Sequence, residues 1–525
     1  MSLKARLLAG ALLLLALSAC GVNPVTGKKE IQFVSEAQEL QIGAQQYAPM
    51  RQSEGGDFKM LPDLTSYVAG IGKKLAAVSE RQLPYEFVVL NSSVPNAWAL
   101  PGGKIAVNRG LLTELKSESE LAAVLGHEIV HAAARHGAKA QERGTLLQGG
   151  LAVATIGAAL GGADENVAGL LLQGAGVGAQ LVQMKYGRDQ ELEADQYGMK
   201  YMKKAGYDPW GAVTLQESFV RLSQEGSAKS QGFLEGLFAT HPPSQERVER
   251  NQQTAELLGR GGEVGDAVYI AHVRSLIQIK PAYDKYDQAL AAAQKKDYAQ
   301  AKQLANEAVT FLPKEARFHQ ALGEIALAEK EPQKAIAYYE KAMALDPDYF
   351  GSYLGAGVAQ YRAGNKSKAE EWLAKSAQLL PTAPAAYYLG ELARGRGDTQ
   401  KAMQYYQAAA SSQSDLGRAA AGEFVKLDLS QNPANYIAAA GQMSTKGRVF
   451  VVVQNRAPIA LADIRVTPLL VDASGRIVQS APAVRFDQPI APGERAALDA
   501  GIGALTEQQL AALKFRIEGA RVVDR

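Results

Sequence analysis

The chain has 525 residues, of which 47% are hydrophobic and 21% charged, so it is long enough for two to four domains and has a globular composition. Lysine plus arginine total 56 and aspartate plus glutamate total 54, giving a formal net charge of +2. This even balance offers no basic stripe, which argues against nucleic acid as a partner. The single cysteine excludes an internal disulfide.

Residues 1–20 have the layout of a secretory signal, because a short basic start precedes an apolar run from Leu7 to Leu17 that is too short to span a membrane comfortably. The segment ends in Leu-Ser-Ala-Cys, which resembles the lipobox of bacterial lipoproteins. We therefore expect a lipid anchor on Cys20. Because glycine rather than aspartate follows it, we expect the anchor in the outer membrane of a Gram-negative bacterium and the body in the periplasm. A plain signal peptide is the alternative.

The stretch GHEIVHAAARHG at 126–137 holds half of the six histidines. Ser117 and Glu120 upstream have the spacing of a capping box, which predicts a helix start, and Gly137 can end that helix. His136 is rejected as a metal ligand, because on a continuous helix it points about half a turn away from His127. We expect it on the surface near the helix C-terminus, where positive charge is favourable.

Within that helix, His127 and His131 are four residues apart and share one face, with Glu128 one step round. This is the His-Glu-x-x-His pattern of a zinc peptidase. Two imidazoles are suitable zinc ligands, and the pattern predicts Glu128 as the general base that takes a proton from the attacking water. Two solvent-facing histidines on a structural helix are the alternative.

A catalytic zinc needs a third protein ligand. GRDQELEADQYG at 187–198 predicts a second helix with Glu191 and Asp195 four apart on one face. Glu191 can complete a two-His, one-Glu site, and Asp195 can accept a hydrogen bond from the far nitrogen of a liganding histidine. Alone, this spacing is a weak signal.

Four stretches in this order and spacing resemble the zinc endopeptidase family of the CAAX-prenyl endopeptidases and the heat-shock membrane protease HtpX, and most closely its soluble, TPR-bearing periplasmic branch. They are VPNAWALPGGKIAVNRGLL (94–112), LAAVLGHEIVHAAARHG (121–137), GRDQELEADQYG (187–198) and ATHPPSQERVE (239–249). The resemblance covers residues 22–260, and NPVTGKKE at 23–30 is also similar to lipoproteins of this family. The resemblance implies one Zn²⁺ per chain, held by His127, His131 and Glu191. It also implies Glu128 as the general base and Asp195 as the hydrogen-bond partner behind a liganding histidine.

NAWALPGGKIAVNRG predicts a β-hairpin or an edge strand around Pro101-Gly102-Gly103. An exposed edge can bind an extended peptide by strand addition, so Asn96, Trp98 and Ala99 are candidate substrate-binding residues. A core hairpin with a buried tryptophan fits the pattern equally well, and the resemblance favours the groove.

His241 lies in Thr-His-Pro-Pro, and Arg247 follows six residues on. The family resemblance implies that both lie near the active site. His241 can donate a hydrogen bond to the oxyanion of the tetrahedral intermediate, or it can bind zinc as a fourth ligand and silence the enzyme. A structural turn residue is the alternative. Arg247 can stabilise the oxyanion or pair with an acid.

The segment 145–183 is glycine-rich and almost uncharged, with two apolar halves that are each too short for a transmembrane helix. We expect it to pack in the core or cover the active site, with contact to the bilayer surface as the alternative.

A repeat begins near Pro281, since Ala301, Ala335 and Ala369 are 34 residues apart. This is the period of the tetratricopeptide repeat (TPR), and it predicts about four helix pairs whose concave surface binds protein partners. A spacer is the alternative. Beyond 445, short β-rich runs broken by Asn, Asp and Gly predict a β-sandwich that serves as a binding or assembly module.

The predicted fold class is therefore multidomain. A mainly α-helical zincin-type peptidase domain with a small β-hairpin or sheet (21–262) is followed by an α-solenoid of TPR repeats (280–412) and a β-sandwich (445–525). The leading functional hypothesis is a zinc endopeptidase that degrades misfolded or misassembled envelope proteins. The competing one is a TPR-based periplasmic chaperone or docking protein with latent or little protease activity.

Overall fold

A computed structural model describes residues 20–140, 186–225, 232–234, 236–472 and 474–523. The predicted signal up to residue 19 and the glycine-rich insert at 145–183 lie outside these described residues. The chain divides at Leu380 into two units, described separately below. Among the described residues, no helix has both the length and the apolar character needed to cross a bilayer.

The first unit begins with a two-stranded antiparallel pair, β1 (Cys20–Val22) and β2 (Lys29–Ile31). The helices that follow are α1 (Glu36–Ser53) and α2 (Pro62–Ala76). A three-stranded sheet then contains β3 (Glu86–Leu90), β4 (Ala97–Leu100) and β5 (Lys104–Asn108), with β5 in the centre, parallel to β3 and antiparallel to β4. The hairpin turn uses Gly102 and Gly103 at φ 80° and 83°, a backbone region that glycine adopts without strain.

The remaining peptidase-region helices are α3 (Arg109–Leu112), α4 (Glu118–Ala133), α5 (Arg188–Lys204), α6 (Trp210–Gln224), α7 (Leu237–Thr240) and α8 (Gln245–Leu258). Every residue of α4 is buried, so this helix forms the centre of the unit. Its apolar residues Leu121, Leu125 and Ile129 are fully buried in the main hydrophobic core. A helix enclosed on all sides holds its side chains in fixed positions, which a catalytic site requires.

The same unit continues into paired helices: α9 (Asp266–Gln294), α10 (Tyr298–Phe311), α11 (Ala316–Ala328), α12 (Pro332–Leu345), α13 (Phe350–Arg362) and α14 (Lys366–Leu379). Lys296, Lys330 and Gly364 adopt φ values of 64°, 65° and 84°. These left-handed residues recur at intervals of about 34, each in the turn inside one helix pair. The repeat predicted from the sequence is therefore confirmed.

The second unit contains α15 (Ala383–Gly395), α16 (Thr399–Ala410), α17 (Asp415–Asp428), a 3₁₀ turn (Pro433–Asn435) and a short helix α18 (Glu507–Ala511). One antiparallel sheet has the order β11-β7-β6, from Arg495–Asp499, Val449–Asn455 and Ile437–Met443. In the other, β8 (Leu461–Val471) pairs with β9 (Ile477–Ser480), β10 (Val484–Phe486) and β12 (Leu513–Val522). Side chains from both sheets join one apolar cluster.

Candidate metal centre

The helix α4 carries two of the candidate metal ligands. It starts where the sequence predicts, because the Ser117 side chain accepts a hydrogen bond from the backbone N–H of Glu120 at 3.1 Å. The Glu120 carboxylate accepts from the backbone N–H of Lys116 instead of Ser117, so the predicted reciprocal box is only half formed. A cap of this kind contributes about 1 kcal/mol to helix stability. It fixes the register that places His127 and His131 on one buried face.

The helix α5 supplies the acidic side chains, and a close crossing sets its distance from α4. The two backbones meet at Gly126 and Gly198, where a Cβ atom on Gly198 would lie 3.0 Å from the Gly126 carbonyl carbon and the His127 nitrogen. Only glycine permits this approach. Because the helices touch here, Glu191 and Asp195 reach the histidines of α4.

The ligand atoms have spacings that fit zinc. His127 Nε2 lies 3.0 Å from His131 Nε2 and 3.5 Å from Glu191 Oε2, and His131 Nε2 lies 3.4 Å from Glu191 Oε1. Bonds of zinc to nitrogen and oxygen at tetrahedral angles imply donor separations of about 3.4 Å. Two neutral imidazoles and one carboxylate are also the donor set of many catalytic zinc sites. All three residues are buried, and with His241 they form one group of potential ligands.

Asp195 lies behind His127, with Oδ1 2.8 Å from His127 Nδ1. The guanidinium of Arg247 donates to both oxygens of Asp195, each at 2.7 Å, and its Nη1 lies 2.9 Å from Glu191 Oε2. Arg247 is therefore paired with acids. This contact corresponds to the second of the two roles that the sequence left open, and its part in catalysis stays a prediction.

His241 and Glu128 face each other at the edge of the ligand group. His241 Nδ1 lies 3.0 Å from Glu191 Oε1 and 3.2 Å from His127 Nε2, while its Nε2 lies 3.5 Å from Glu128 Oε1. The backbone carbonyl of Pro242 accepts a hydrogen bond from Arg247 at 3.2 Å, which ties the loop after His241 to α8. These contacts are compatible with both roles expected for His241, the oxyanion donor and the fourth zinc ligand, and both stay predictions.

Burial and neighbouring charge shift the pKa values of the group in opposite directions. Burial raises the pKa of Glu128, which favours its protonated form. Burial would lower the pKa of His127, but Glu191 and Asp195 outweigh it and raise this pKa to about 10. Against the opposing effect of burial, the charge of Arg247 and the hydrogen bonds from Arg247 and His127 lower the pKa of Asp195. The Asp195 carboxylate behind His127 thus remains ionised.

A small cavity of about 40 Å³ lies beside Glu128. Its walls are mainly apolar, from Val124, Met199, Leu215 and Phe219 among others. Three polar atoms of its lining residues are buried and have no hydrogen-bond partner among the described residues: Glu128 Oε2, Gln216 Oε1 and Asn251 Nδ2. Buried polar atoms are rarely left without partners in folded proteins, so these three are candidates for contact with a ligand or water.

The three candidate substrate-binding residues of the hairpin have different surroundings. β4 is the terminal strand of its sheet, so both the hairpin and the edge strand expected from the sequence are present. Trp98 is buried and packs edge-on against Tyr47 at 6.3 Å between ring centroids. The carbonyl of Ala99 accepts a hydrogen bond from Tyr186 at 3.4 Å, and the Tyr186 ring stacks on His131 at 3.8 Å. Asn96 is half-buried, and its backbone carbonyl accepts a hydrogen bond from the backbone N–H of Asn108 at 2.9 Å.

Two expectations about the C-terminal end of α4 are wrong. α4 ends at Ala133 rather than Gly137, and Arg135 adopts a left-handed φ of 63°. This bend turns His136 back toward the site, so it is buried instead of exposed, with its Nδ1 2.9 Å from His131 Nδ1. The sequence argument extended helical geometry past the point where the helix stops.

Residues 62–255 match the model of Peptidase family M48, and residues 286–350 and 326–393 match two tetratricopeptide repeat models. The chain therefore carries a metallopeptidase domain of family M48 together with TPR repeats. Peptidases of this family use zinc, and the donor group described above fits that ion. The predictions of a peptidase domain of this family and of zinc as its metal are confirmed.

Three relatives are similar to parts of this chain. Mitochondrial metalloendopeptidase OMA1 of Schizosaccharomyces pombe is 31% identical over 44% of this chain and 65% of its own length. A putative beta-barrel assembly-enhancing protease of Vibrio cholerae is 31% identical over 37% of this chain and 40% of its own. The beta-barrel assembly-enhancing protease of Yersinia pestis is 27% identical over 62% and 74%. The match thus spans less than two thirds of the first two relatives.

Proposed function

We propose that the protein is a zinc-dependent endopeptidase of the bacterial cell envelope that hydrolyses peptide bonds of misfolded or misassembled envelope proteins. The proposal rests mainly on the position of Glu128. Its Oε2 atom is buried beside the ligand group and has no hydrogen-bond partner among the described residues. A purely structural metal site needs no such carboxylate, whereas a hydrolytic site needs a general base at this position.

When bound, zinc would be held by His127, His131 and Glu191, where it would activate water and polarise the substrate carbonyl. Glu128 accepts the proton of the attacking water and passes it to the leaving amine. His241, whose Nε2 lies 3.5 Å from Glu128, either donates to the oxyanion or occupies a ligand position and holds the enzyme silent.

The substrate strand adds to the outer side of β4, the terminal strand of its sheet, beside Asn96, Trp98 and Ala99. The Ala99 carbonyl, which contacts Tyr186, connects this edge to the ring stacked on His131. One substrate side chain enters the apolar cavity next to Glu128. There, the unpartnered atoms of Gln216 and Asn251 offer one acceptor and one donor.

The other parts of the chain recruit partners and fix the location. The TPR repeats present a concave surface for substrate or partner proteins. The two C-terminal sheets share one apolar cluster, which supports the predicted β-sandwich. A lipid on Cys20 anchors the protein in the outer membrane with its body in the periplasm. The Yersinia pestis relative is a beta-barrel assembly-enhancing protease, and this similarity favours an envelope substrate.

Zinc content and casein degradation test the proposal, measured on the chain lacking residues 1–20. We expect the parent and Glu128→Gln to hold one zinc each and only the parent to cleave. Glu217→Gln, an exposed glutamate on α6, is the matched control and keeps activity. If parent and variant both hold zinc and neither cleaves, His241→Ala is measured next. Activity in His241→Ala means a silenced site, whereas inactivity of both the parent and this variant favours the docking protein.

A further inference from the structure

His136 lies outside the group of metal ligands, yet it is one of the most buried polar side chains near them. Its Nδ1 lies 2.9 Å from His131 Nδ1, and its Nε2 lies 3.3 Å from Glu193 Oε1. The same oxygen of Glu193 accepts a hydrogen bond from Asn23 Nδ2 at 2.8 Å. Four side chains thus form an unbroken line from a metal ligand to the N-terminal segment.

The protons in this line can be placed by elimination. His131 Nε2 faces the other ligand atoms, so it is the bare nitrogen that binds metal, and Nδ1 carries the proton. His131 Nδ1 therefore donates, and His136 Nδ1 must accept. His136 then carries its own proton on Nε2, which donates to the Glu193 carboxylate. From His131 Nδ1 to Asn23 Nδ2, each nitrogen in the line thus has the partner that its protonation requires.

The N-terminal segment 20–34 is fastened where the line ends. Asn23 is fully buried, and its Oδ1 accepts from the backbone N–H groups of Val25 and Thr26 at 2.9 and 3.2 Å. Arg135, the left-handed residue before His136, donates to Gln32 Oε1 at 2.6 Å. These contacts fix Asn23 and His136 relative to each other, on opposite sides of Glu193.

We propose that His136, Glu193 and Asn23 are positioning residues that hold His131 in its metal-binding tautomer and orientation. They do for His131 what Asp195 does for His127, and the NPVTGKKE segment is thereby part of the metal centre. Partners of this kind typically affect metal affinity by about 10–100-fold. The inference rests on the proposed function only for the identity of the metal.

The test measures the zinc dissociation constant of the purified full chain in detergent, by competition with a chromogenic chelator. We expect His136→Leu to weaken zinc binding by about 10–100-fold. We expect His136→Gln, which keeps one acceptor and one donor, to recover part of this loss. Asn23→Asp is the sharpest variant, because it keeps the Oδ1 atom of the turn and replaces the Nδ2 group, which donates to Glu193 and Glu30, by a carboxylate oxygen. It should also weaken binding.

His319→Leu is the matched control, since His319 is a buried histidine of α11 that contacts the Pro313 carbonyl at 2.8 Å. Its zinc affinity should equal that of the parent. Affinities of His136→Leu and Asn23→Asp within twofold of the parent would overturn the inference. Should His136→Leu fail to fold, Asn23→Asp decides alone.

The affinity readout also separates this inference from the peptidase proposal. A parent chain that binds zinc but cleaves nothing would refute the peptidase, and the affinities of the variants would still decide the role of His136. A parent chain that binds no zinc would overturn both.

Discussion

At the scale of single residues, the buried guanidinium of Arg247 joins α8 to α5 through Asp195 and Glu191. Removing one partner of a buried ion pair leaves the other charge without compensation, which typically costs about 3–5 kcal/mol. We therefore expect Arg247→Met to lower the free energy of unfolding by about that amount. Urea denaturation of the metal-free protein measures this loss without a contribution from zinc.

Arg188→Met is the control for that variant. Arg188 pairs with Glu246 and connects the same two helices, but its side chain is 70% exposed. Exposed ion pairs contribute little to stability because water and salt screen them. We expect its denaturation midpoint to match that of the parent, and an equal loss in both variants would contradict the assignment of Arg247 to a buried network.

At the scale of elements, the crossing of α4 and α5 depends on two glycines. A methyl group on Gly198 would lie 3.0 Å from backbone atoms of α4, which cannot move aside as a flexible side chain can. Gly198→Ala should therefore separate the helices, destabilise the fold by about 1–3 kcal/mol and weaken zinc binding, because Glu191 moves away from His127 and His131. Thermal unfolding and chelator competition measure the two effects.

Gly70→Ala is the comparison for Gly198→Ala. Gly70 is an exposed residue of α2, and a Cβ atom there would meet nothing within 4 Å. Alanine is favoured over glycine inside a helix by about 0.8–1 kcal/mol, so this variant should be slightly more stable with unchanged zinc affinity. Equal destabilisation by both substitutions would show that the close crossing has no special role.

The elements also show which parts of the fold could be predicted from the sequence. The starts of α4 and α5, the hairpin turn at Gly102 and the 34-residue repeat depend on local signals, and all were predictable. The position of His136 was not, because it depends on the left-handed turn at Arg135 and on contacts with residues 20–34 that are about a hundred positions away. The contact between Arg247 and Asp195 is equally long-range, so the sequence left its role open.

At the scale of the whole molecule, the peptidase region and the first repeats do not have separate cores. Tyr269, Val273 and Leu276 of α9 are buried in the same hydrophobic cluster as Leu121 and Leu125 of α4. The hydroxyl of Tyr269 donates to the Leu112 carbonyl at 2.6 Å. A boundary near 262, as the sequence suggested, would cut through this cluster, while the structural division falls at Leu380.

This shared core predicts that a chain of residues 21–262 is much less stable than one of residues 21–380. The shorter chain loses five large side chains of the cluster, namely Tyr269, Val273, Leu276, Tyr283 and Phe318. Full burial of such side chains is worth about 1.5–3 kcal/mol each. Their sum, about 8–15 kcal/mol, is comparable with the whole stability of a typical domain, about 5–15 kcal/mol.

Thermal unfolding followed by circular dichroism compares the two chains directly. The longer chain should unfold cooperatively, whereas the shorter one should be insoluble or unfold without a sharp transition, because the surface of α4 and α3 that α9 covers becomes exposed to water. A third chain that ends at Gln294 restores α9 but not Phe318, so it should recover part of the stability. Cooperative unfolding of residues 21–262 within a few degrees of the longer chain would mean that the repeats attach to a peptidase domain that is already complete without them.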